Sequence, residues 1–300
     1  AFTSAVSLEG ANALMVEGPG GGGARSLAMD DDWRPLALSR TGPVDFAPLV
    51  FVGYGIVAPA EGAQASYDSY GALDVAGKWV LVLRYVPENV APERRQYLSR
   101  FGSLRYKAME ARDRGAIGLV VVTGPGAEVK EELVALRFDG TVAGASIAAV
   151  SVANDVCAAW LAPGGQDLAA LQADLDGGEP RPGFELAETR LAARIGLRFE
   201  ESSGCNVLGR LRVASEPTAQ VVVLGAHLDH LGRGERGNSL ARADESGQVH
   251  PGADDNASGV AGLLEIARRL GDRLRCGRLT GLRRDVLCAA WSGEELGLLG

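Results

Sequence analysis

Short apolar runs alternate with a helical pattern in the middle of the chain. Residues 78–84 (KWVLVLR) and 117–122 (IGLVVV) are dense apolar runs of strand length. Between them, apolar side chains at positions 104, 108 and 111 recur at helical spacing, and Gly115 ends that helix. Strand, helix and strand at this spacing predict a parallel βαβ unit. A further strand over 146–152 and a helix over 154–161 are expected to extend it.

The last third of the chain has its own strands and helix. Residues 221–224 and 286–291 are continuous apolar runs, and polar side chains follow both of them. The segment between them predicts an amphipathic helix, whose apolar stripe would bury Val260, Leu263, Leu264, Ala267 and Leu270. Two apolar strands separated by a helix indicate a parallel α/β sheet, and such sheets place their functional sites at the carboxyl ends of the strands.

These patterns divide the chain into four parts. Residues 1–45 are rich in loop-forming residues, and residues 46–165 form the first α/β unit. Residues 166–200 are typical of a polar connector, with helical spacing over 166–175 followed by two prolines that favour extended chain. Residues 201–300 form the second unit.

Composition excludes several classes of protein. With 46% hydrophobic and 23% charged residues, a chain of 300 residues can bury a core of ordinary globular size. The net charge of -8 argues against a protein that coats nucleic acid. No apolar run reaches the ~18–20 residues of a membrane-spanning helix. Four widely spaced cysteines are too few for a disulfide scaffold; they are expected to be buried thiols, and one disulfide is compatible with the sequence.

Acidic and imidazole side chains gather where these predicted strands and the helix begin or end. His227 and Asp229 follow the first strand, Asp255 enters the helix, and Glu294 and Glu295 follow the second strand. Taken singly, each group has a structural explanation as a polar pair, a helix cap or a solvated acidic turn. Together they form a donor set that suits a hard-to-borderline divalent metal ion.

The motifs around these residues resemble a known family. The segments GAHLDHLG, GADDNASG and SGEELG are similar, in this order, to those of the co-catalytic zinc exopeptidases. That group includes bacterial leucyl aminopeptidases, aminopeptidase Y and glutamate carboxypeptidase II, with the transferrin receptor as a non-catalytic relative. Residues 46–165 resemble the protease-associated domain that many members carry as an insert.

The resemblance implies a fold. It is an α/β fold with a mixed, largely parallel sheet flanked by helices, interrupted by an α+β or β-rich protease-associated domain. Residues 1–45 would then be the N-terminal part of the peptidase region, 166–200 a connector, and 201–300 the N-terminal portion of the zinc peptidase domain.

The resemblance also implies a role for each site residue. His227 would bind one zinc ion, Asp229 would orient His227, and Asp255 would bridge both zinc ions. The peptide bond between Asp255 and the next residue would be cis. Glu295 would bind the second zinc, and Glu294 would be the general base that takes a proton from the water activated by the two zincs. The implied activity is zinc-dependent hydrolysis that releases N-terminal amino acids from a peptide substrate.

Members of this family complete each zinc site with one further ligand downstream of the Glu-Glu pair. The chain is therefore expected to be a fragment of a longer enzyme that lacks these two ligands. His230 is interpreted as structural, because strand alternation would turn it away from His227, and His250 is not expected to substitute. The resemblance also implies that the protein is exported, to the periplasm or outside the cell.

Two other functions are compatible with the resemblance. One is a non-catalytic receptor or scaffold, although an intact acidic cluster counts against it. The other is a glutaminyl-cyclase-like acyltransferase on a related one-zinc fold. The Asp-Asp-Asn turn and the inserted unit both favour the peptidase.

Overall fold

The chain consists of two compact units. The computed structural model describes residues 2–18, 23–127, 129, 131–137, 146–212, 218–234, 247–295 and 298–300. The N-terminal unit comprises residues 6–136 and 142–198, and the C-terminal unit comprises residues 1–5, 137–141 and 199–300.

The described residues form the following elements. The strands are β1 (Phe2–Leu8), β2 (Ala13–Glu17), β3 (Arg25–Ser26), β4 (Trp33–Pro35), β5 (Gly42–Phe51), β6 (Val57–Ala58), β7 (Tyr67–Asp68), β8 (Trp79–Leu83), β9 (Gly118–Val122), β10 (Ala148–Val152), β11 (Phe184–Ile195), β12 (Leu197–Ser202), β13 (Val207–Leu211), β14 (Val221–His227) and β15 (Asp285–Trp291). The α-helices are α1 (Pro92–Ser99), α2 (Leu104–Asp113), α3 (Asn154–Leu161), α4 (Leu168–Asp176) and α5 (Ser258–Arg275).

An eight-stranded mixed sheet organises the N-terminal unit. Its strand order is β3-β2-β11-β5-β8-β9-β10-β4. The strands β5, β8, β9 and β10 run parallel, and antiparallel strands flank them on both sides. The parallel centre is the predicted βαβ unit, in which α2 connects β8 to β9. Every residue of β8 and β9 is buried, as expected for parallel strands that are covered on both faces.

Trp79 joins the parallel and antiparallel parts of this sheet. Its indole Nε1 donates a 2.9 Å hydrogen bond to the backbone carbonyl of Leu191 in β11. Its ring also lies against Gly118, where a Cβ atom would overlap with it. The buried tryptophan therefore requires glycine on β9.

Lys107 anchors helix α2 from inside the core. The side chain is fully buried, and its Nζ donates to the backbone carbonyls of Leu83, Arg84 and Tyr85 at 2.7, 3.1 and 2.5 Å. Burial lowers the pKa of Lys107 well below its usual value. Three carbonyl acceptors oppose that effect, because only the protonated amine has three N–H donors.

The C-terminal unit contains a three-stranded sheet with one helix. Strand β15 lies in the centre, parallel to β14 and antiparallel to β13. Helix α5 connects β14 to β15, which is the predicted strand–helix–strand arrangement. A separate two-stranded sheet pairs β1 with β12. The expected α/β class with a mixed sheet is thus confirmed.

Three expectations about the elements differ from the structure. The intervals expected as loop-rich chain and polar connector supply β2, β3, β4 and β11 to the large sheet. On α5, Leu263 is buried but Leu264 is 65% exposed, so the buried stripe is narrower than expected. All four cysteines are free thiols, and of these Cys157 is buried while Cys205 and Cys276 are exposed.

Among the described residues, no helix combines the length and the apolar character that a membrane crossing requires.

Candidate metal centre

Parallel pairing brings the polar ends of two strands to one edge of the small sheet. His227, the last residue of β14, lies in register with Trp291, the last residue of β15. The Glu294–Glu295 pair follows within a few residues. Because parallel strands end at the same edge, the imidazole and both carboxylates converge there.

The turn that enters α5 supplies the next carboxylate. Asp255 lies in a short helical turn over Ala253–Ala257, where Asp255 and Asn256 have non-helical backbone angles. The peptide bond between these two residues is cis, as the resemblance implied. Gly252 starts the turn with a φ of 58°, and its carbonyl accepts a 2.9 Å hydrogen bond from the amide of Ala257.

His227 is positioned so that one ring nitrogen faces the carboxylates. Its Nε2 lies 3.0 Å from Asp255 Oδ1 and 3.8 Å from Glu294 Oε2. Its Nδ1 lies 3.1 Å from the backbone carbonyl oxygen of Asp229. A carbonyl oxygen only accepts, so Nδ1 carries the proton and the Nε2 lone pair is the one that faces the cluster.

Asp229 acts on a different partner from the one expected. Its carboxylate Oδ1 is 3.9 Å from His227 Nδ1, which is beyond hydrogen-bond distance. The two carboxylate oxygens instead accept hydrogen bonds from the backbone amides of Glu294 (3.1 Å) and Glu295 (3.3 Å). Asp229 therefore orients the imidazole through its backbone and the Glu-Glu turn through its side chain.

His230, which the sequence predicts to be turned away from His227, contacts another member of the cluster. Its Nδ1 lies 2.7 Å from Glu295 Oε1. Alternation does not apply to it, because β14 ends at His227 and the chain turns after that residue. The ring of His250 lies edge-on to His230, with the ring centroids 6.1 Å apart. No feature of the sequence alone signals the contact with Glu295.

Two overlapping groups of side chains have their ligand atoms close enough to share a metal ion. The atoms of His227, Glu294 and Glu295 lie within 4.8 Å of one another, and so do those of His230, Asp255 and Glu295. Imidazole nitrogen and carboxylate oxygen are ligands that zinc takes. Two ligands on a tetrahedral zinc lie about 3.3 Å apart, so the 3.0 Å separation of His227 Nε2 and Asp255 Oδ1 fits a shared ion.

A cavity of about 330 Å³ opens beside these ligands. His227, Asn256, Trp291 and Glu294 are among its lining residues. Gly225 lies under the indole of Trp291, whose Nε1 a Cβ atom would overlap. The expected motif SGEELG is described as far as Glu295; its next two residues, 296 and 297, lie outside the described residues.

Comparison with known proteins identifies both units. Residues 206–300 match the model of peptidase family M28, and residues 46–160 match the PA domain. The cluster of imidazole and carboxylate side chains lies within the M28 match, and the parallel strands β8, β9 and β10 lie within the PA-domain match. Residues 206–300 are therefore similar to peptidase family M28, and residues 46–160 are similar to PA domains. The resemblance drawn from the sequence is thereby confirmed.

Individual relatives agree with this assignment. The aminopeptidase NAALADL1 of Mus musculus is 36% identical over 124 residues, which are 40% of this chain and 14% of that protein. The probable lipoprotein aminopeptidase LpqL of Mycobacterium tuberculosis is 35% identical over 95 residues, 32% of this chain and 14% of that protein. The chain thus spans about one seventh of the length of these curated relatives.

The solved aminopeptidase from Aneurinibacillus sp. strain AM-1 aligns with all of this chain and 53% of its own, at 19% identity and a TM-score of 0.46.

Proposed function

We propose that the protein is a zinc-dependent aminopeptidase, which removes N-terminal amino acids from peptides. The observation that carries this proposal is the convergence of His227, Asp255, Glu294 and Glu295 at one edge of the small sheet. The 3.0 Å distance from His227 Nε2 to Asp255 Oδ1 is the tightest contact of that convergence. The names of the relatives NAALADL1 and LpqL, both called aminopeptidases, support the choice of substrate end.

In this proposal, His227, Asp255 and Glu295 would hold two zinc ions. His227 would contribute to one ion, Glu295 to the other, and Asp255 to both. The side chain of Asp255 is 68% exposed, so it is accessible to ions and to substrate. Each bound zinc supplies Lewis acidity, which lowers the pKa of an associated water toward neutrality and polarises the scissile carbonyl.

Glu294 is proposed as the general base. Its carboxylate lines the cavity and is one third exposed, while Glu295 next to it is more deeply buried. A carboxylate in that position can take a proton from water at Oε2 and deliver it to the departing amine. The backbone amide of Glu294 donates a 3.1 Å hydrogen bond to the carboxylate of Asp229, which fixes the turn that carries the base.

The protein is further proposed to be exported. One relative is named as a lipoprotein, which supports a location outside the cytoplasm.

The test uses the protein expressed from the whole of its natural gene, with two peptides that differ only in N-terminal acetylation. We expect release of the first residue from the free peptide and no cleavage of the acetylated one. Removal of zinc with a chelator should abolish release, and added zinc should restore it. Release of C-terminal residues from both peptides would make the enzyme a carboxypeptidase. Cyclisation of a peptide with N-terminal Gln would favour a glutaminyl-cyclase-like acyltransferase. Inactivity towards all of these peptides at full zinc occupancy would favour a non-catalytic scaffold.

A further inference from the structure

His230 occupies a position in the metal centre that the proposed function leaves unused. Its Nδ1 lies 2.7 Å from Glu295 Oε1, and both side chains are largely buried. A carboxylate accepts but does not donate, so the imidazole donates its Nδ1 proton to Glu295. We propose that His230 is a positioning residue, which holds the Glu295 carboxylate in the orientation that binds zinc. This inference rests on the proposed function.

The distance distinguishes a hydrogen bond from a shared metal ion. Two ligands of one tetrahedral zinc lie about 3.3 Å apart, because each bond is about 2.0–2.1 Å long. The 2.7 Å separation is shorter than that and is typical of a charge-assisted hydrogen bond. We therefore assign Nδ1 of His230 to a hydrogen bond with Glu295, although its ligand atom lies within 4.8 Å of those of Asp255 and Glu295. The cobalt spectrum described below distinguishes this hydrogen bond from direct coordination.

The ring of His230 sits in a fitted position. A Cβ atom on Gly252 would lie 2.8 Å from the ring atoms Cγ and Cδ2, so glycine there allows the ring to approach the turn. The ring of His250 packs edge-on at a centroid distance of 6.1 Å. Glycine at position 252 therefore admits the ring to the position from which its Nδ1 reaches Glu295.

One short segment thus holds Glu295 at two points. The carboxylate of Asp229 accepts from the backbone amide of Glu295, and His230 donates to its side chain. Fixing Oε1 in this way leaves Oε2 as the oxygen available to zinc. Hydrogen bonds to metal-binding carboxylates of this kind change metal affinity by about 10–100-fold when they are removed.

The experiment compares zinc affinity in three variants of the protein expressed from the whole of its natural gene. His230→Leu removes the hydrogen-bond donor and fills its place with an apolar side chain of similar size. His230→Asn places an amide N–H where Nδ1 lies in the imidazole. We measure zinc affinity by competition with a chromophoric chelator, and the visible absorption of the Co²⁺-loaded protein as a report on the ligand set. His250→Leu is the matched control, because it removes the neighbouring imidazole.

We expect His230→Leu to bind zinc about 10–100-fold more weakly. His230→Asn should recover most of that loss, with a cobalt spectrum like that of the wild type. Wild-type affinity in His230→Leu, or an equal loss in His250→Leu, would overturn the proposal. Weak binding by His230→Asn with an altered cobalt spectrum would make His230 a ligand instead.

Folding and function are controlled separately. Thermal unfolding in the presence of chelator shows whether each variant folds without metal. If His230→Leu does not fold, the comparison of His230→Asn with wild type decides, and an affinity more than tenfold below wild type contradicts positioning. Absence of zinc binding by the wild type would refute the proposed function, whereas wild-type binding without a His230 effect refutes the positioning role alone.

Discussion

Asp229 shows how a single side chain can organise a site that it does not enter. Its carboxylate accepts hydrogen bonds from two consecutive backbone amides, those of Glu294 and Glu295. Its backbone carbonyl accepts a hydrogen bond from Nδ1 of His227. One residue therefore fixes both the imidazole on β14 and the turn after β15. Removing the carboxylate would leave two amides without their acceptor.

Asp229→Asn tests this organisation. The amide side chain has one acceptor oxygen and one donor group, so one of the two backbone amides would face another donor. We expect the free energy of unfolding to fall by about 1–3 kcal/mol and zinc affinity to fall by about 10–100-fold. Denaturant unfolding and chelator competition measure the two effects.

Asp254→Asn is the matched control, since Asp254 is an exposed acid beside Asp255 and outside the cluster. Equal losses in both variants would show that the loss of one charge is responsible and the hydrogen bonds are not. No effect in Asp229→Asn would show that these two hydrogen bonds do not organise the site.

At this scale the sequence predicts which residues gather but not every contact. His227, Asp255, Glu294 and Glu295 could be found because each stands at an element end within a recognisable motif. The contact of His230 with Glu295 depends on the turn after β14, where strand alternation no longer describes side-chain direction. Such contacts across the fold leave no periodic signal along the chain.

The turn before α5 determines where Asp255 stands. Gly252 adopts a left-handed conformation there, and a Cβ atom on it would lie 2.8 Å from the ring of His230 and 2.9 Å from the carbonyl of Asp255. Glycine is therefore required both by the backbone angle and by the close approach of the imidazole. Gly232 has a similar φ of 61°, but a Cβ atom on it would meet nothing within 4 Å.

Gly252→Ala and Gly232→Ala form a matched pair. Both variants place alanine at a positive φ, which costs about 1–2 kcal/mol. Only Gly252→Ala should also displace His230 and the Asp255 turn, so we expect its zinc affinity to fall at least tenfold below that of Gly232→Ala. Chelator competition provides the comparison. Equal zinc affinities in the two variants would contradict the role assigned to this close contact.

Among the elements, continuous apolar runs were the easiest to predict. Strands β8, β9, β14 and β15 contain such runs, and the structure places a strand at each. Strand β11 was missed because Glu188 adopts a positive φ, and the pairing register with β5 shifts between Glu185 and Arg190. That irregularity hides the alternation of buried and exposed side chains.

At the scale of the molecule, the N-terminal unit includes more chain than the PA-domain match. Strands β2, β3 and β11 lie outside residues 46–160, yet they continue the same sheet. The buried side chain of Trp79 donates to the backbone of β11. The division of the chain at residues 46 and 165 remains a proposal. Because strands on both sides of this interval continue the same sheet, we expect them to fold together with residues 46–165.

Two excisions test this division. Removal of residues 46–165 takes away residues 46–51 of β5, which pair with β11, and would expose buried residues such as Leu191. We expect that protein to aggregate. Removal of residues 6–198 with a short linker should leave a soluble protein that still binds zinc, because β13, β14, β15 and α5 are retained. Size-exclusion chromatography measures the aggregation of each excised protein, and metal analysis measures its zinc content. A monomeric, zinc-binding protein after the first excision would show that residues 46–165 are a self-contained insert.

Glu294→Gln tests the central claim that this cluster is a hydrolytic zinc site with Glu294 as its base. The measurement is zinc content together with the rate of N-terminal residue release, in the protein expressed from the whole of its natural gene. The glutamine keeps the shape of the side chain but cannot accept a proton. We predict full zinc content and a rate lower by about 10²–10⁴-fold, whereas Glu295→Gln should lose zinc. Release at a near wild-type rate by Glu294→Gln, or loss of its zinc, would contradict the account.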